Sequence, residues 1–132
     1  MKRRVLFYVQ HLLGIGHLKR AATLTRAMTD RGLEVTVVSG GQDIPGINIG
    51  TAKFVQLPST RATNLSFKEL VDEDNRPIDG DWKERRAEAL LAAYRAADAH
   101  LIMFELFPFG RRQMRFEIEP VLQDAVTSAH RP

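Results

Sequence analysis

The chain has 132 residues, 44% of them hydrophobic, enough to bury one core and to argue for a single domain. Its 19 Lys and Arg against 16 Asp and Glu leave a net charge of only +3, and the basic groups Lys2-Arg3-Arg4, Arg85-Arg86 and Arg111-Arg112 are short and scattered, so the single basic stripe of a nucleic-acid binder is missing. The lack of cysteine excludes disulfides and thiolate metal sites, and no apolar run suits a signal peptide or a membrane span; the expectation is a soluble, cytoplasmic protein.

Val5-Leu6-Phe7-Tyr8-Val9 is a continuous β-rich apolar run, the pattern of a strand covered on both faces in a parallel sheet. A turn containing Gly14-Ile15-Gly16-His17 follows. Leu18, Ala21, Ala22, Leu24, Ala27 and Met28 then recur at helical spacing, and Gly32 supplies the stop. Val35-Thr36-Val37-Val38 reads as a second buried strand, closed by Ser39-Gly40-Gly41, which completes a βαβ unit.

Lys53-Phe54-Val55-Gln56-Leu57 is a third strand stopped by Pro58, and residues 59–81 form a long polar stretch without regular pattern. Residues 82–97 are a strong helix, with Arg86, Leu90 and Ala93 along one side. His100-Leu101-Ile102-Met103-Phe104 is the fourth strand, with Glu105 at its carboxyl end. Met114, Ile118, Val121, Leu122 and Ala125 mark a last amphipathic helix, in which Pro120 starts a fresh turn or makes a kink. The alternation predicts an α/β fold: a Rossmann-like, doubly wound parallel sheet in three layers. The last helix ends where a further strand is due, so the 132 residues are expected to be part of a longer protein.

In such a sheet, ligands bind beyond the carboxyl ends of the strands, near the switch in strand order. Residues 10–17, 39–43 and 105–112 are predicted to converge there. Gly14 and Gly16 let the backbone approach a ligand, and the following helix N-terminus offers unpaired N–H groups suited to phosphate. The alternative is a tight turn without a ligand. His17, in the first helical turn, meets the positive end of the macrodipole, which favours the neutral imidazole that a general base requires. His11, Gly40 and Gly41 would line the same cleft, while His100 sits at the far end of the sheet.

Glu105 can bind sugar hydroxyls or orient a base, or else pair with Arg111 or Arg112. Those arginines can clamp phosphate or carboxylate groups. A dinucleotide site is disfavoured because Lys19 stands where the third glycine of the fingerprint belongs, and Ser39-Gly40-Gly41 where its ribose-binding acid belongs. No metal site and no cofactor are expected; Asp72-Glu73-Asp74 fits no calcium loop and reads as a solvated acidic turn.

Taken together, Gly14-Ile15-Gly16-His17, Arg31-Gly32-Leu33-Glu34-Val35, Phe54-Val55-Gln56-Leu57-Pro58 and the segment Glu105-Leu106-Phe107-Pro108-Phe109-Gly110-Arg111-Arg112 resemble the N-terminal domain of GT-B glycosyltransferases. The resemblance is to the group related to the lipid-linked N-acetylglucosaminyltransferase of peptidoglycan synthesis, and more closely to a bacterial branch of predicted glycosyltransferases. It implies that residues 1–132 are one partial, acceptor-side domain, with the nucleotide-sugar donor held by a second domain. The acceptor would be a hydroxyl, on a saccharide or a lipid-linked molecule, the latter placing the protein at the inner face of the membrane. The resemblance also gives His17 the role of base or diphosphate contact and Glu105 that of an acceptor-binding acid. The chain alone is expected to be inactive, and an incomplete sheet edge to favour homo-oligomers. Two other classes stay open: a non-catalytic α/β module binding a phosphorylated ligand or a protein, and a nicotinamide-dependent reductase fragment.

Overall fold

The computed structural model describes residues 2–64, 69–105 and 112–127. β1 (Arg4–Val9), β2 (Glu34–Ser39), β3 (Lys53–Gln56) and β6 (Leu101–Phe104) form one sheet in the order β3-β2-β1-β6, and every neighbouring pair is parallel. Strand β1 is central and covered on both faces. Its residues from Val5 to Val9 are at most 2% exposed, which is why its sequence is apolar without alternation.

Helix α1 (Gly16–Asp30) covers one face, where Leu18 and Ala21 pack with Val5, Phe7, Val9, Val35 and Val37. Helices α2 (Gly80–Ala97) and α3 (Arg115–Thr127) cover the other, where Leu90, Ala93, Ile118 and Val121 meet Leu6, Tyr8 and Val38. The fold is therefore an α/β parallel sheet with helices on both sides. Each fully buried large apolar side chain in these two clusters contributes roughly 1.5–3 kcal/mol.

The helix boundaries have local causes. Gly32, at φ +87°, ends α1, with its own amide bonded to the Thr29 carbonyl and the Leu33 amide to that of Met28, so two terminal carbonyls are satisfied. Asp79 caps α2 by accepting the Trp82 amide at 2.8 Å. Pro120 neither starts nor ends a helix: α3 runs through it, giving up the one backbone donor that proline lacks.

The described residues between 59 and 81 hold more regular structure than their polarity suggests. Strands β4 (Arg61–Ala62) and β5 (Leu70–Val71) pair antiparallel, and Val71 bridges to Pro77. Ala62, Leu70 and Val71 are buried, and the Thr60 hydroxyl donates to the Val71 carbonyl at 2.8 Å. An apolar dyad at 70–71 was enough to anchor a ribbon inside a polar sequence.

Topology fixes where a ligand can sit. From β1 the chain moves through α1 to β2 and on to β3, then returns through α2 to place β6 on the opposite flank of β1. The order reverses between β1 and β6, the position at which such sheets bind ligands in a crevice beyond the strands' carboxyl ends. Among the described residues β3 and β6 are the outer strands, and Leu101 on β6 is 51% exposed. No helix among them is long and apolar enough to cross a membrane.

Candidate functional site

The two sides of that crevice are the turn after β1 and the residue after β6. Glu105 directly follows β6, and its amide donates to the Tyr8 carbonyl at 3.0 Å, extending the strand pairing by one step. His17 is the second residue of α1. Across the crevice, His17 Nδ1 lies 3.0 Å from Glu105 Oε1.

Arg20 joins them from one turn further along α1, the spacing that puts two side chains on one helix face. Its guanidinium donates to Glu105 Oε1 and stands 3.0 Å from His17 Nδ1. The Glu105 side chain is only 11% exposed, those of His17 and Arg20 34% and 56%. Burial acts to raise the Glu105 carboxyl, but the hydrogen bonds from Arg20 and His17 outweigh it and hold the group below the ordinary carboxylate range. Glu105 is thus an anion near neutral pH.

Two hydrogen arrangements satisfy this trio. With hydrogen on Nδ1, His17 donates to Glu105 and leaves Nε2 with a free lone pair; with hydrogen on Nε2, Nδ1 accepts from Arg20 instead. The first leaves a proton acceptor directed away from its carboxylate anchor, the arrangement a general base needs.

The glycines of the β1–α1 turn leave room beside this trio. Gly14 and Gly16 are exposed, and a Cβ on either would meet nothing within 4 Å. Neither adopts positive φ, so open space and not backbone strain distinguishes these positions. Helix α1 begins without a side-chain cap and without an acidic residue in its first turn, so the positive end of its dipole is not offset locally.

His11, Gly40 and Gly41 lie deeper. His11 is 3% exposed, its Nε2 is 3.0 Å from the Gln42 carbonyl, and its ring fills the space where a Cβ on Gly41 would stand. A Cβ on Gly40 would overlap the Arg86 guanidinium and the Gln10 side chain. Both glycines are therefore explained by packing beneath the crevice. Arg111 lies outside the described residues, as does the side chain of Arg112, whose backbone opens a short 3-10 turn over Arg112–Met114. His100, at the far end of the sheet, accepts the Arg4 amide on Nδ1 at 2.9 Å and is a structural residue.

Arg86 was readable as a charged residue on an apolar helix side, yet its partners come from every neighbouring element. It is fully buried, and Nε lies 3.1 Å from Glu117 Oε1, to which it donates, and 3.0 Å from Oε2. Further donors reach the carbonyls of Pro58 at 2.9 Å and Gly40 at 3.2 Å, and also Gln10 Oε1. The Trp82 ring lies 5.3 Å from the guanidinium carbon. Burial pushes the Glu117 carboxyl up to about 7, with Arg86 and the Tyr8 hydroxyl opposing a further rise. The same burial, reinforced by Glu117, raises the Tyr8 hydroxyl well above its ordinary value.

The acidic triplet has local employment. Asp72 Oδ1 accepts the amides of Asp74 and Arg76 at 2.8 and 3.0 Å, and Glu73 pairs with Arg85 at 3.1 Å. Asn75 completes this turn in the left-handed region, at φ 63°.

Fold and site together define an α/β protein with a His–Glu–Arg cluster at the switch point of its sheet. No protein-family model matches the chain, and no curated relative matches it. Among solved structures the chain is similar to a UGT transferase from Siraitia grosvenorii, crystallised in complex with UDP. The identity is 17% and the TM-score 0.49, over 91% of this chain and 26% of that one. This chain thus spans about a quarter of that protein's length.

Proposed function

We propose that this chain is the acceptor-binding part of a nucleotide-sugar-dependent glycosyltransferase, transferring a hexosyl group to a hydroxyl. The observation that carries the reading is the 3.0 Å approach of His17 Nδ1 to Glu105 Oε1 across the β1/β6 crevice. The resemblance of residues 14–17 and 105–112 to GT-B glycosyltransferases supports it.

In this reading His17 carries hydrogen on Nδ1 and donates it to Glu105. Nε2 then takes the proton of the acceptor hydroxyl as that oxygen bonds to the anomeric carbon and the nucleotide leaves. Glu105 stays ionised throughout and stabilises the imidazolium that forms, which its lowered carboxyl favours. Gly14 and Gly16 give the acceptor close access to the backbone, and the uncapped start of α1 favours an anionic group there. The donor is assigned to a second Rossmann-like unit, on the same polypeptide or a separate one. Because approach geometry and donor contacts supply most of the rate, residues 1–132 alone are inactive in this reading.

The test is a transfer assay with a panel of nucleotide-sugars and hydroxyl acceptors, run on the chain alone and joined to its donor unit. The joined protein turns over and the chain alone does not, and His17→Ala lowers the joined rate by about 10²–10⁴. Turnover by the chain alone, or a His17→Ala protein as fast as the parent, would sink the reading.

A further inference from the structure

The carboxyl ends of three strands are held from beneath by one side chain. Through its two Nη atoms the Arg86 guanidinium grips Gln10, which follows β1, the carbonyl of Gly40, which follows β2, and the carbonyl of Pro58, two residues after β3. Glu117 on α3 fixes Nε and therefore the plane of the fork, and Trp82 covers it. Gly40 cannot carry a side chain without displacing this group.

Gln10 passes the constraint toward the crevice. While its Oε1 accepts from Arg86, its Nε2 donates to the His11 carbonyl at 2.8 Å and to the Thr60 carbonyl at 3.2 Å. His11 in turn opens the turn that ends at His17, and the next carbonyl, that of Leu12, accepts the Ala62 amide at 2.9 Å. The start of the β1–α1 turn is thus anchored to buried polar groups, although its Gly14 and Gly16 are exposed.

We propose that Arg86 is a positioning residue, which through Gln10 sets the path of the β1–α1 turn and so the approach of His17 to Glu105. Its functional weight rests on the transferase reading, in which His17 is the working base. The geometric claim stands apart from that reading and is tested without any transfer reaction.

The measurement is the nitrogen-15 resonance of His17 Nδ1, which moves with the hydrogen bond at that atom in either tautomer. His17 is identified from its loss in a His17→Gln protein, and Glu105→Ala gives the resonance with the contact removed. Gln10→Met keeps the side-chain volume but removes both its acceptor and its donor; Arg86→Lys keeps the charge but not the fork. Val35→Ala, a cavity at the amino end of β2 in the cluster under α1, controls for general destabilisation. Each protein is measured well below its own Tm. In Gln10→Met the Nδ1 resonance shifts most of the way to its position in Glu105→Ala, while Val35→Ala leaves it at the parent value. Arg86→Lys reproduces the Gln10→Met result wherever it folds, and Gln10→Met decides alone where it does not. A parent-like resonance in Gln10→Met, an equal shift in Val35→Ala, or no difference between the parent and Glu105→Ala, overturns the proposal. A failed transfer assay with the shift pattern as expected would count against the transferase and leave the clasp in place.

Discussion

His17 Nδ1 and Glu105 Oε1 are 3.0 Å apart although 88 residues separate them in sequence. The contact exists because β6 pairs with β1 in register, Tyr8 opposite Phe104, so that the residue after β6 faces the turn after β1. A carboxylate placed this way favours the tautomer with hydrogen on Nδ1 over the one in which Nδ1 accepts from Arg20. Glu105→Gln keeps the size but removes the negative charge, and on the transferase reading it lowers transfer by the joined protein about 100-fold or more with little change in acceptor KM. Unchanged turnover in that variant would remove Glu105 from the mechanism.

Arg20 competes with His17 for the same oxygen. Its hydrogen bond is the largest influence lowering the Glu105 carboxyl, while burial pulls the other way. Arg20→Ala therefore lets Glu105 titrate at higher pH than in the parent. Carbon-13 NMR of the Glu105 carboxyl reads this directly; an unshifted titration would show that the guanidinium does not reach it in solution. The sign for stability follows. The depressed carboxyl contributes stability above its ordinary range, and this is lost as pH falls through its folded value. Arg20→Ala makes that acid-side loss smaller.

Glu117 behaves in the opposite sense. Its carboxyl is raised from 4.5 to about 7 by burial. The folded state then holds the proton more tightly than the unfolded state, so this group's contribution to stability is full below 4.5 and declines until pH passes about 7. The decline amounts to about 3 kcal/mol. Urea midpoints of the parent and Glu117→Gln between pH 4.5 and 8 isolate it, because groups that do not sense residue 117 cancel in the difference. The Gln variant gains on the parent as pH rises toward neutrality. Parallel curves would show that burial does not raise the Glu117 carboxyl above its ordinary range.

The sheet was legible wherever burial on two faces removed alternation. Residues 5–9 and 35–38 needed no partner to be recognised, because a continuous apolar run suits a covered parallel strand. His17 and Glu105 could each be placed on the same edge of the sheet. Their contact could not be read, because it depends on β6 joining β1 and not β3. Arg20 carried a readable signal, three residues from His17 on one helix face. Arg86 carried another, a charge in line with Leu90 and Ala93. The reason for glycine at position 40 carried none, since it lies in an arginine 46 residues further on. The β4–β5 ribbon was hidden for a related cause: two-residue strands have no period to detect.

The four glycines near the crevice separate packing from access. At Gly40 and Gly41 the direction of a side chain is filled by Arg86 with Gln10, and by the His11 ring, respectively. These neighbours are buried and bonded, so they cannot swing aside at low cost. Gly40→Ala and Gly41→Ala each destabilise by about 1–3 kcal/mol or more, through overpacking. At Gly14 and Gly16 the same direction is empty and φ is not positive, so alanine fits both. Gly16→Ala, at the first position of α1, leaves Tm unchanged or slightly raised, since alanine suits a helix better than glycine. If an acceptor approaches the backbone there, the methyl group blocks it, and the joined protein loses acceptor affinity at unchanged stability. Thermal unfolding of the four variants, set beside their acceptor KM, checks this. A drop in Tm at Gly14 or Gly16 would mean that the turn is held by packing and not left open. Parent-like KM in both would move the acceptor away from this turn.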